Sequence, residues 1–242
     1  MEKNQQKDTY SDAFCKVYNE FGWNYFPLAF GEQLLVWMEK RHFMPKTAID
    51  LACGPGVLCD FLSQHGIEAS GMDFSKGMID LAKERNPKLF FEVADMITYC
   101  PAQQYDLVTC TGDALNHITD LNNIEKIFRN VYQYLSDDGY FIFDILDQGE
   151  VALDEPIDLD WSDSVKAQFM ITRNEKDVIT LEVSVYENGK KEFAEQIHEI
   201  VHDPQEICTL LQKSGFRIVQ CDRQLLEDQP ARGMKWFVIA GK

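Results

Sequence analysis

The sequence predicts an α/β protein with a doubly wound, mainly parallel sheet, and three observations support this fold class. Short apolar runs alternate with segments of helical apolar spacing between residues 47 and 145. Several of these runs end in an acidic residue, at the edge where parallel sheets bind their ligands. The chain of 242 residues is long enough for one α/β domain with an inserted or appended piece.

The composition is that of a globular protein with an acidic surface, with 45% hydrophobic residues and a net charge of −17 at pH 7. Such a surface repels phosphate backbones, so we expect no nucleic acid partner, whereas an amine-bearing small molecule is compatible with it. The seven cysteines follow no disulfide framework and have no zinc spacing, which is typical of reduced thiols. No signal peptide or membrane-spanning run is evident. We therefore expect a cytoplasmic protein without a metal site or membrane contact.

An aromatic-rich helical cap is predicted at the N-terminal end, over about residues 8–41. Tyr10, Phe14, Tyr18 and Phe21 recur at the spacing of one helical face. Two interpretations remain open. The stripe could pack the cap onto the domain, or it could belong to a lid whose tyrosines close over a ligand.

A cofactor loop is predicted at Asp50-Leu51-Ala52-Cys53-Gly54-Pro55-Gly56, between a strand and a helix. Glycine suits both of its positions, because one must turn sharply and the other must let a ligand approach the backbone. A dinucleotide loop needs a third glycine where Cys59 stands, which disfavours a nicotinamide oxidoreductase. Asp50 fits a ligand that carries an ammonium group.

The next two predicted strands end in groups that suit a nucleoside. Asp73 follows the loop at the spacing of a βαβ unit and could accept hydrogen bonds from both hydroxyls of a ribose. Its alternative role is to cap the following helix, which Ser75 could also do. Asp95 and Met96 end the third strand, where they could hold an adenine by its exocyclic amine and its ring face.

Two further strands, at residues 105–110 and 140–145, extend the predicted sheet, and the pattern then changes. Five acidic residues between 154 and 163 predict an acidic loop. Asn188-Gly189 is typical of a hairpin turn. Three strand-like runs, at residues 165–172, 178–186 and 193–201, predict an antiparallel insertion.

The predicted organisation therefore has three parts. The insertion could cover the active site or form the face of a homodimer. A helix at residues 204–214 and strands near 216–221 and 235–240 complete the main sheet. The predicted boundaries are 1–44 for the cap, 45–148 and 203–242 for the core, and 149–202 for the insertion.

Together, Asp50-x-x-x-Gly54-x-Gly56, Asp73, Asp95-Met96 and Tyr105-Asp106-Leu107-Val108 resemble the class I S-adenosylmethionine-dependent methyltransferases. The resemblance implies a Rossmann-like, seven-stranded sheet with an antiparallel last strand, and S-adenosyl-L-methionine as cofactor. It places the methionine part at the glycine loop, the ribose on Asp73 and the adenine near Asp95. The cofactor-binding residues that it implies are Asp50, Ala52, Gly54, Gly56, Asp73, Phe74, Asp95, Met96, Cys110 and Thr111.

Within this family the cap, the insertion and Glu195-x-x-His198 are similar to small-molecule N-methyltransferases that act on amines. An amine must be neutral to attack, so a base is needed. His117, on the loop after the fourth strand, is the candidate catalytic base, and its alternative role is to bond nearby helix ends. Tyr18, Tyr25 and His198 are the candidate substrate-binding residues. An O-methyltransferase of a small metabolite, or a non-catalytic cofactor-binding or interaction protein, remains an alternative.

Overall fold

The structure is a computed structural model that describes residues 10–18, 23–147, 153–160, 162, 164–175, 178–226 and 235–242. Its α-helices are α1 (Asp12–Tyr18), α2 (Tyr25–Lys40), α3 (Val57–Gln64), α4 (Lys76–Arg85), α5 (Leu121–Tyr134) and α6 (Pro204–Lys213). Its strands are β1 (Thr47–Leu51), β2 (Glu68–Asp73), β3 (Phe90–Val93), β4 (Tyr105–Cys110), β5 (Leu135–Leu146), β6 (Leu153–Asp160), β7 (Val165–Arg173), β8 (Val178–Glu187), β9 (Lys190–Ile200), β10 (Arg217–Asp222) and β11 (Lys235–Gly241).

The main sheet has seven strands in the order β10-β11-β5-β4-β1-β2-β3. The pairs that join β3, β2, β1, β4 and β5 are parallel, and β11 runs antiparallel to both β5 and β10. The predicted fold class is thus confirmed, including the antiparallel last strand. Because the strand order reverses at β1, the carboxyl ends of β1 and β4 border a crevice, which is where open α/β sheets bind ligands.

Apolar side chains cover both faces of this sheet. The amphipathic α5 buries Ile124, Ile127, Phe128 and Val131 against β4 and β5. A second cluster on the opposite face holds Trp37 and its neighbours from α2 and α3. Each large side chain buried in this way contributes about 1.5–3 kcal/mol of transfer free energy, so the two clusters fix the strand ends in place.

A second, antiparallel sheet has the strand order β6-β7-β8-β9. The predicted hairpin between β8 and β9 is present, with Asn188 and Gly189 both at positive φ, at 49° and 77°. The alternate side chains of β8 that include Ile179 and Val183 are buried, which gives this sheet an apolar inner face.

The predicted acidic loop is wrong for residues 153–160, which form the edge strand β6. Ile157 lies opposite Phe169 in β7, whereas Asp158 accepts a hydrogen bond from Gln168 at 2.9 Å. Asp158 and Asp160 therefore alternate with Ile157 and Leu159 along a strand. Charged side chains are common on edge strands because they discourage pairing with other chains, so a high acid content did not signal a loop. Asp163 lies outside the described residues.

The cap consists of two helices, α1 and α2, and Phe21 lies outside the described residues. Phe14 of α1 is 1% exposed and packs between Met78 of α4 and the inner face of the second sheet, at Val183 and Ile197. The cap thus contacts both the main sheet's helices and the insertion. None of the helices in the described part of the chain combines the length and apolar character of a membrane span.

Candidate functional site

A cavity of about 400 Å³ lies at the carboxyl edge of the parallel strands, beneath α1 and the inner face of the second sheet. Its volume is within the range of about 300–1,000 Å³ that is typical of small-molecule sites. We distinguish two groups of lining residues. The cofactor wall consists of Gly54, Asp73, Phe74, Asp95 and Met96, and the acceptor wall of Tyr10, Tyr18, His117, Ile197 and Glu199.

The two glycines of the loop after β1 have different roles. A Cβ on Gly54 would meet no atom within 4 Å, so the space in front of this backbone is open to a ligand. A Cβ on Gly56 would lie 2.8 Å from Phe91 Cζ and 3.0 Å from Ala82 Cβ, and Gly56 does not line the cavity. Gly56 also has a φ of 71°, so it serves the turn and the packing of α3 rather than ligand contact.

Asp73 holds the loop in place at the end of β2. Its carboxylate accepts hydrogen bonds from the backbone N–H groups of Gly54 and Ser75, both at 2.8 Å. Ser75, not Asp73, is the N-cap of α4, because its hydroxyl accepts from Met78 N. Burial raises the pKa of Asp73 despite these bonds, and each carboxylate oxygen keeps a lone pair for a ribose hydroxyl.

The other predicted nucleoside groups also lie on the cofactor wall. Asp95 accepts a hydrogen bond from Ile97 N at 2.9 Å through one carboxylate oxygen, which leaves the other for an exocyclic amine. Met96 and the half-exposed Phe74 line the cavity beside it and offer apolar surfaces to a ring. The residues present therefore fit a purine nucleoside.

The predicted cofactor residues of β1 and β4 divide into two sets. Ala52 and Thr111 line the cavity, as does Asp50, whose carboxylate accepts a hydrogen bond from Thr109 Oγ1 at 2.6 Å. Burial raises the pKa of Asp50 to about 7. Cys110 is 0% exposed within the core, so its thiol does not reach the cavity.

A buried ion-pair cluster that sequence analysis did not identify supports the loop after β4. Lys235 Nζ lies 2.7 Å from Asp144 Oδ2 and also pairs with Asp113. Asp144 is fully buried and accepts from the N–H groups of Gly112 and Asp113. Burial lowers the pKa of Lys235, but the two carboxylates outweigh it and raise that pKa. The sequence does contain an indication of this cluster, since Asp144 lies inside the apolar run Phe141–Ile145 and a buried charge requires a partner.

His117 and Glu199 form the polar part of the acceptor wall. His117 ends a short 3-10 helix (Ala114–His117), and its Nδ1 lies 3.3 Å from the backbone oxygen of His198. Its Nε2 lies 3.5 Å from Glu199 Oε1. Burial lowers the pKa of His117 and raises that of Glu199 to about 7. Glu199 was missed; its position two residues after the buried Ile197, on the same face of β9, could have revealed it.

The three predicted substrate residues lie in different places. Tyr18 lines the cavity, and burial raises its pKa to about 12, so its phenol is neutral. The side chain of His198 is exposed on the other face of the second sheet, where Nδ1 lies 3.0 Å from Thr180 Oγ1. Tyr25 is 76% exposed and does not line the cavity. Tyr10 does line it, edge-on to His117, so the aromatic stripe both packs the cap and faces the ligand space.

Comparisons with known proteins show that part of this chain is similar to methyltransferases. Residues 48–139 match the family model described as "Methyltransferase domain". The Bacillus subtilis (strain 168) protein YqeM, provisionally assigned as a methyltransferase, is 30% identical over 146 residues, which are 58% of this chain and 57% of that protein's own length.

Two solved structures share the fold. An S-adenosylmethionine-dependent methyltransferase from Clostridium acetobutylicum superposes with a TM-score of 0.77 at 20% identity, over 87% of this chain and 89% of that one. CalS10, an amino pentose methyltransferase from Micromonospora echinaspora, gives 0.75 at 16% identity, over 100% of both chains. The predicted Rossmann-like fold and the resemblance to S-adenosylmethionine-dependent methyltransferases are confirmed.

Proposed function

We propose, from the premise that this chain carries the methyltransferase domain of an S-adenosylmethionine-dependent enzyme at residues 48–139, that its methyl acceptor is a small-molecule amine. One observation carries this proposal: the ligand space is acidic and contains a base. Asp73, Asp95 and Glu199 line it, whereas the charge of Lys235 is compensated by its two carboxylate partners, Asp113 and Asp144. Such a site attracts a cation and repels an anion.

The cofactor wall would hold S-adenosylmethionine by the groups described above. Asp73 is placed for the ribose hydroxyls, Asp95 and Met96 for the adenine, and the open backbone at Gly54 for the methionine part. When bound, this cofactor supplies an electrophilic methyl group on a sulfonium centre. The remaining catalytic tasks belong to the protein.

The first task is to hold the acceptor close and in line, which can supply about 7–11 kcal/mol of the barrier lowering. The cap and the second sheet enclose the cavity and restrict the acceptor's orientation. The second task is to take one proton, because an ammonium group has no lone pair to donate. Once neutral, the amine nitrogen would use its lone pair to accept the methyl group that bound S-adenosylmethionine would supply, and the proton it gave up would remain with the base. His117 lies on the acceptor wall and is uncharged at neutral pH because burial lowers its pKa.

An amine acceptor agrees with one structural neighbour, since CalS10 is by its description an amino pentose methyltransferase and shares the fold over its whole length. This supports a first screen among amino sugars. An alcohol would use the same base but would gain nothing from the acidic lining, so O-methylation is the second candidate.

The test is a screen for transfer of an isotopically labelled methyl group to matched pairs of acceptors. Each pair consists of an amine and the corresponding alcohol, such as glucosamine with glucose and benzylamine with benzyl alcohol. We expect label to appear on the amines. Transfer to the alcohols alone would overturn the proposal that the acceptor is an amine. A protein that binds no S-adenosylmethionine would overturn the proposal that it is a methyltransferase.

A further inference from the structure

The hydrogen bond at one ring nitrogen of His117 determines the protonation of the other. The backbone oxygen of His198 lies 3.3 Å from Nδ1, and a carbonyl oxygen can only accept. Nδ1 therefore carries a hydrogen, and in the neutral ring Nε2 presents a bare lone pair. That lone pair faces Glu199 Oε1 at 3.5 Å. A carboxylate and a bare imidazole nitrogen repel each other at this distance unless one proton lies between them.

The surroundings of the pair favour a proton on Glu199 over one on His117. The side chains of His117 and Glu199 are only 15% and 18% exposed, and both line the cavity. Burial raises the pKa of Glu199 to about 7 and lowers that of His117, which inverts their usual order. The other titratable groups of the described residues that act on the pair are Asp73, Asp113, Asp144, Lys235 and the phenol of Tyr10.

We propose that Glu199 and His117 share one proton and act as a single proton acceptor, with the Glu199 carboxylate as the contact for the substrate's ammonium group. This inference rests on the proposed function and adds a residue to it. In the step, an N–H bond of the ammonium breaks, the proton goes to Glu199 or to Nε2 of His117, and the nitrogen keeps the electron pair.

The same wall indicates the class of amine. Next to the pair, the inner face of the second sheet contributes Ile171, Ile179, Leu181 and Ile197 to the cavity. These side chains offer no hydrogen bond, so the surface of the substrate that packs against them must be apolar. We therefore infer a primary or secondary amine that is cationic in solution and carried on an apolar chain or ring face.

The proton sharing can be tested on the protein alone by nitrogen NMR of the histidine rings. The variant is Glu199→Gln, the His117 signals are assigned with His117→Gln, and Glu182→Gln on the neighbouring strand β8 is the matched control. Glu182 accepts a hydrogen bond from Gln196 and does not line the cavity. In the wild type and in the control, we expect the Nε2 signal of His117 to shift in a step near pH 7. In Glu199→Gln that step should be absent, while Nδ1 stays protonated.

Identical titration curves for the wild type and Glu199→Gln would overturn the proposal, as would an Nδ1 that carries no hydrogen.

A second measurement addresses the ammonium contact. Calorimetry would compare benzylamine with benzyl alcohol on protein saturated with adenosylhomocysteine. We expect Glu199→Gln to weaken benzylamine binding by roughly tenfold to hundredfold and to leave benzyl alcohol unchanged.

An equal response of both probes to the substitution, or no preference for the amine in the wild type, would overturn the ammonium site. Failure of the wild type to bind adenosylhomocysteine would instead contradict the proposed function, whatever the NMR result. Unchanged adenosylhomocysteine affinity and melting temperature in Glu199→Gln show that the variant is folded.

Discussion

The two walls of the cavity are built in different ways. The cofactor wall comes from a short stretch of sequence, and its key carboxylate, Asp73, is held by backbone N–H groups of the adjoining loop and helix. The acceptor wall combines distant segments: His117 follows β4, Glu199 ends β9 and Tyr10 precedes α1. Local backbone bonds give a wall that needs only the parallel sheet, whereas the acceptor wall requires the cap and the insertion to be docked.

The largest effect should come from the buried ion-pair cluster that supports the loop after β4, which leads to His117 of the acceptor wall. Asp144→Ala removes a fully buried carboxylate and leaves Lys235 without its 2.7 Å partner. We expect the free energy of unfolding to fall by about 3–5 kcal/mol, the usual cost of breaking a buried ion pair, because Lys235 keeps only Asp113 and the N–H groups of Gly112 and Asp113 lose their acceptor. Denaturant unfolding measures it. The matched control is Asp137→Ala, whose carboxylate is 94% exposed and should contribute no measurable stability. Equal stability of both variants would show that the cluster does not stabilise the fold.

The next effect should be confined to the acceptor wall. His117→Ala should lower the turnover number with the amine identified in the screen by about 10²–10⁴-fold, the usual contribution of a general base. Adenosylhomocysteine affinity should remain unchanged. His65→Gln, at the exposed end of α3, is the control for loss of a histidine. A normal rate in His117→Ala would remove the residue from the chemistry, and a loss of cofactor affinity would show that the walls are not independent.

A pH profile sharpens this part of the comparison. The base must be unprotonated to accept a proton, and the pKa of Glu199 is about 7. The rate should therefore rise as the pH increases through about 7 and should level off above it. Steady-state assays from pH 5.5 to 9 would show the rise. A rate that falls between pH 5.5 and 9 would contradict the proposal that Glu199 must lose its proton before the reaction.

A smaller and opposite effect is expected on the cofactor wall. Asp73→Ala removes two potential ribose contacts and should weaken adenosylhomocysteine binding by about 1–3 kcal/mol. The turnover number at saturating cofactor should fall less than the affinity does. Asp80→Ala, on the exposed side of α4, is the control. Unchanged affinity in calorimetry would remove Asp73 from the cofactor site.

The smallest effect should separate the two glycines of the loop. Gly54→Ala places a side chain at a φ of 52° but meets no neighbouring atom, so we expect a loss of stability of about 1–2 kcal/mol and weaker cofactor binding. Gly56→Ala adds a clash with Phe91 to the same kind of strain, so it should destabilise the fold more. Thermal unfolding of the two variants tests this order. The reverse order would contradict the assignment of Gly54 to the ligand and Gly56 to the packing.

The contrast between the walls also explains what the sequence could predict. Asp73, Asp95 and Gly54 follow strands at fixed spacing, and the parallel sheet alone brings strand ends together, so motif and topology sufficed for the cofactor wall. The pairing of His117 with Glu199 depends on how the insertion docks, which no local pattern encodes. Lys235 and Asp144 are likewise joined by the antiparallel pairing of β11 with β5.

Two errors of interpretation have the same physical origin. The high acid content of β6 indicated a loop, although residues 157–160 alternate between apolar and acidic side chains as in an edge strand. The side chain of His198 points away from the cavity because neighbouring residues of a strand face opposite sides, so the inward position belongs to Glu199. In both cases a residue's role could be predicted from its type only once it was known which face of the strand carries it.

The most direct test is titration calorimetry with adenosylhomocysteine on the wild type, Asp73→Ala and Glu199→Gln. We predict tight binding to the wild type, a marked loss in Asp73→Ala, and full retention in Glu199→Gln, because the cofactor wall does not include Glu199. Absence of binding to the wild type, or an equal loss of affinity in both variants, would contradict a methyltransferase site built from two independent walls.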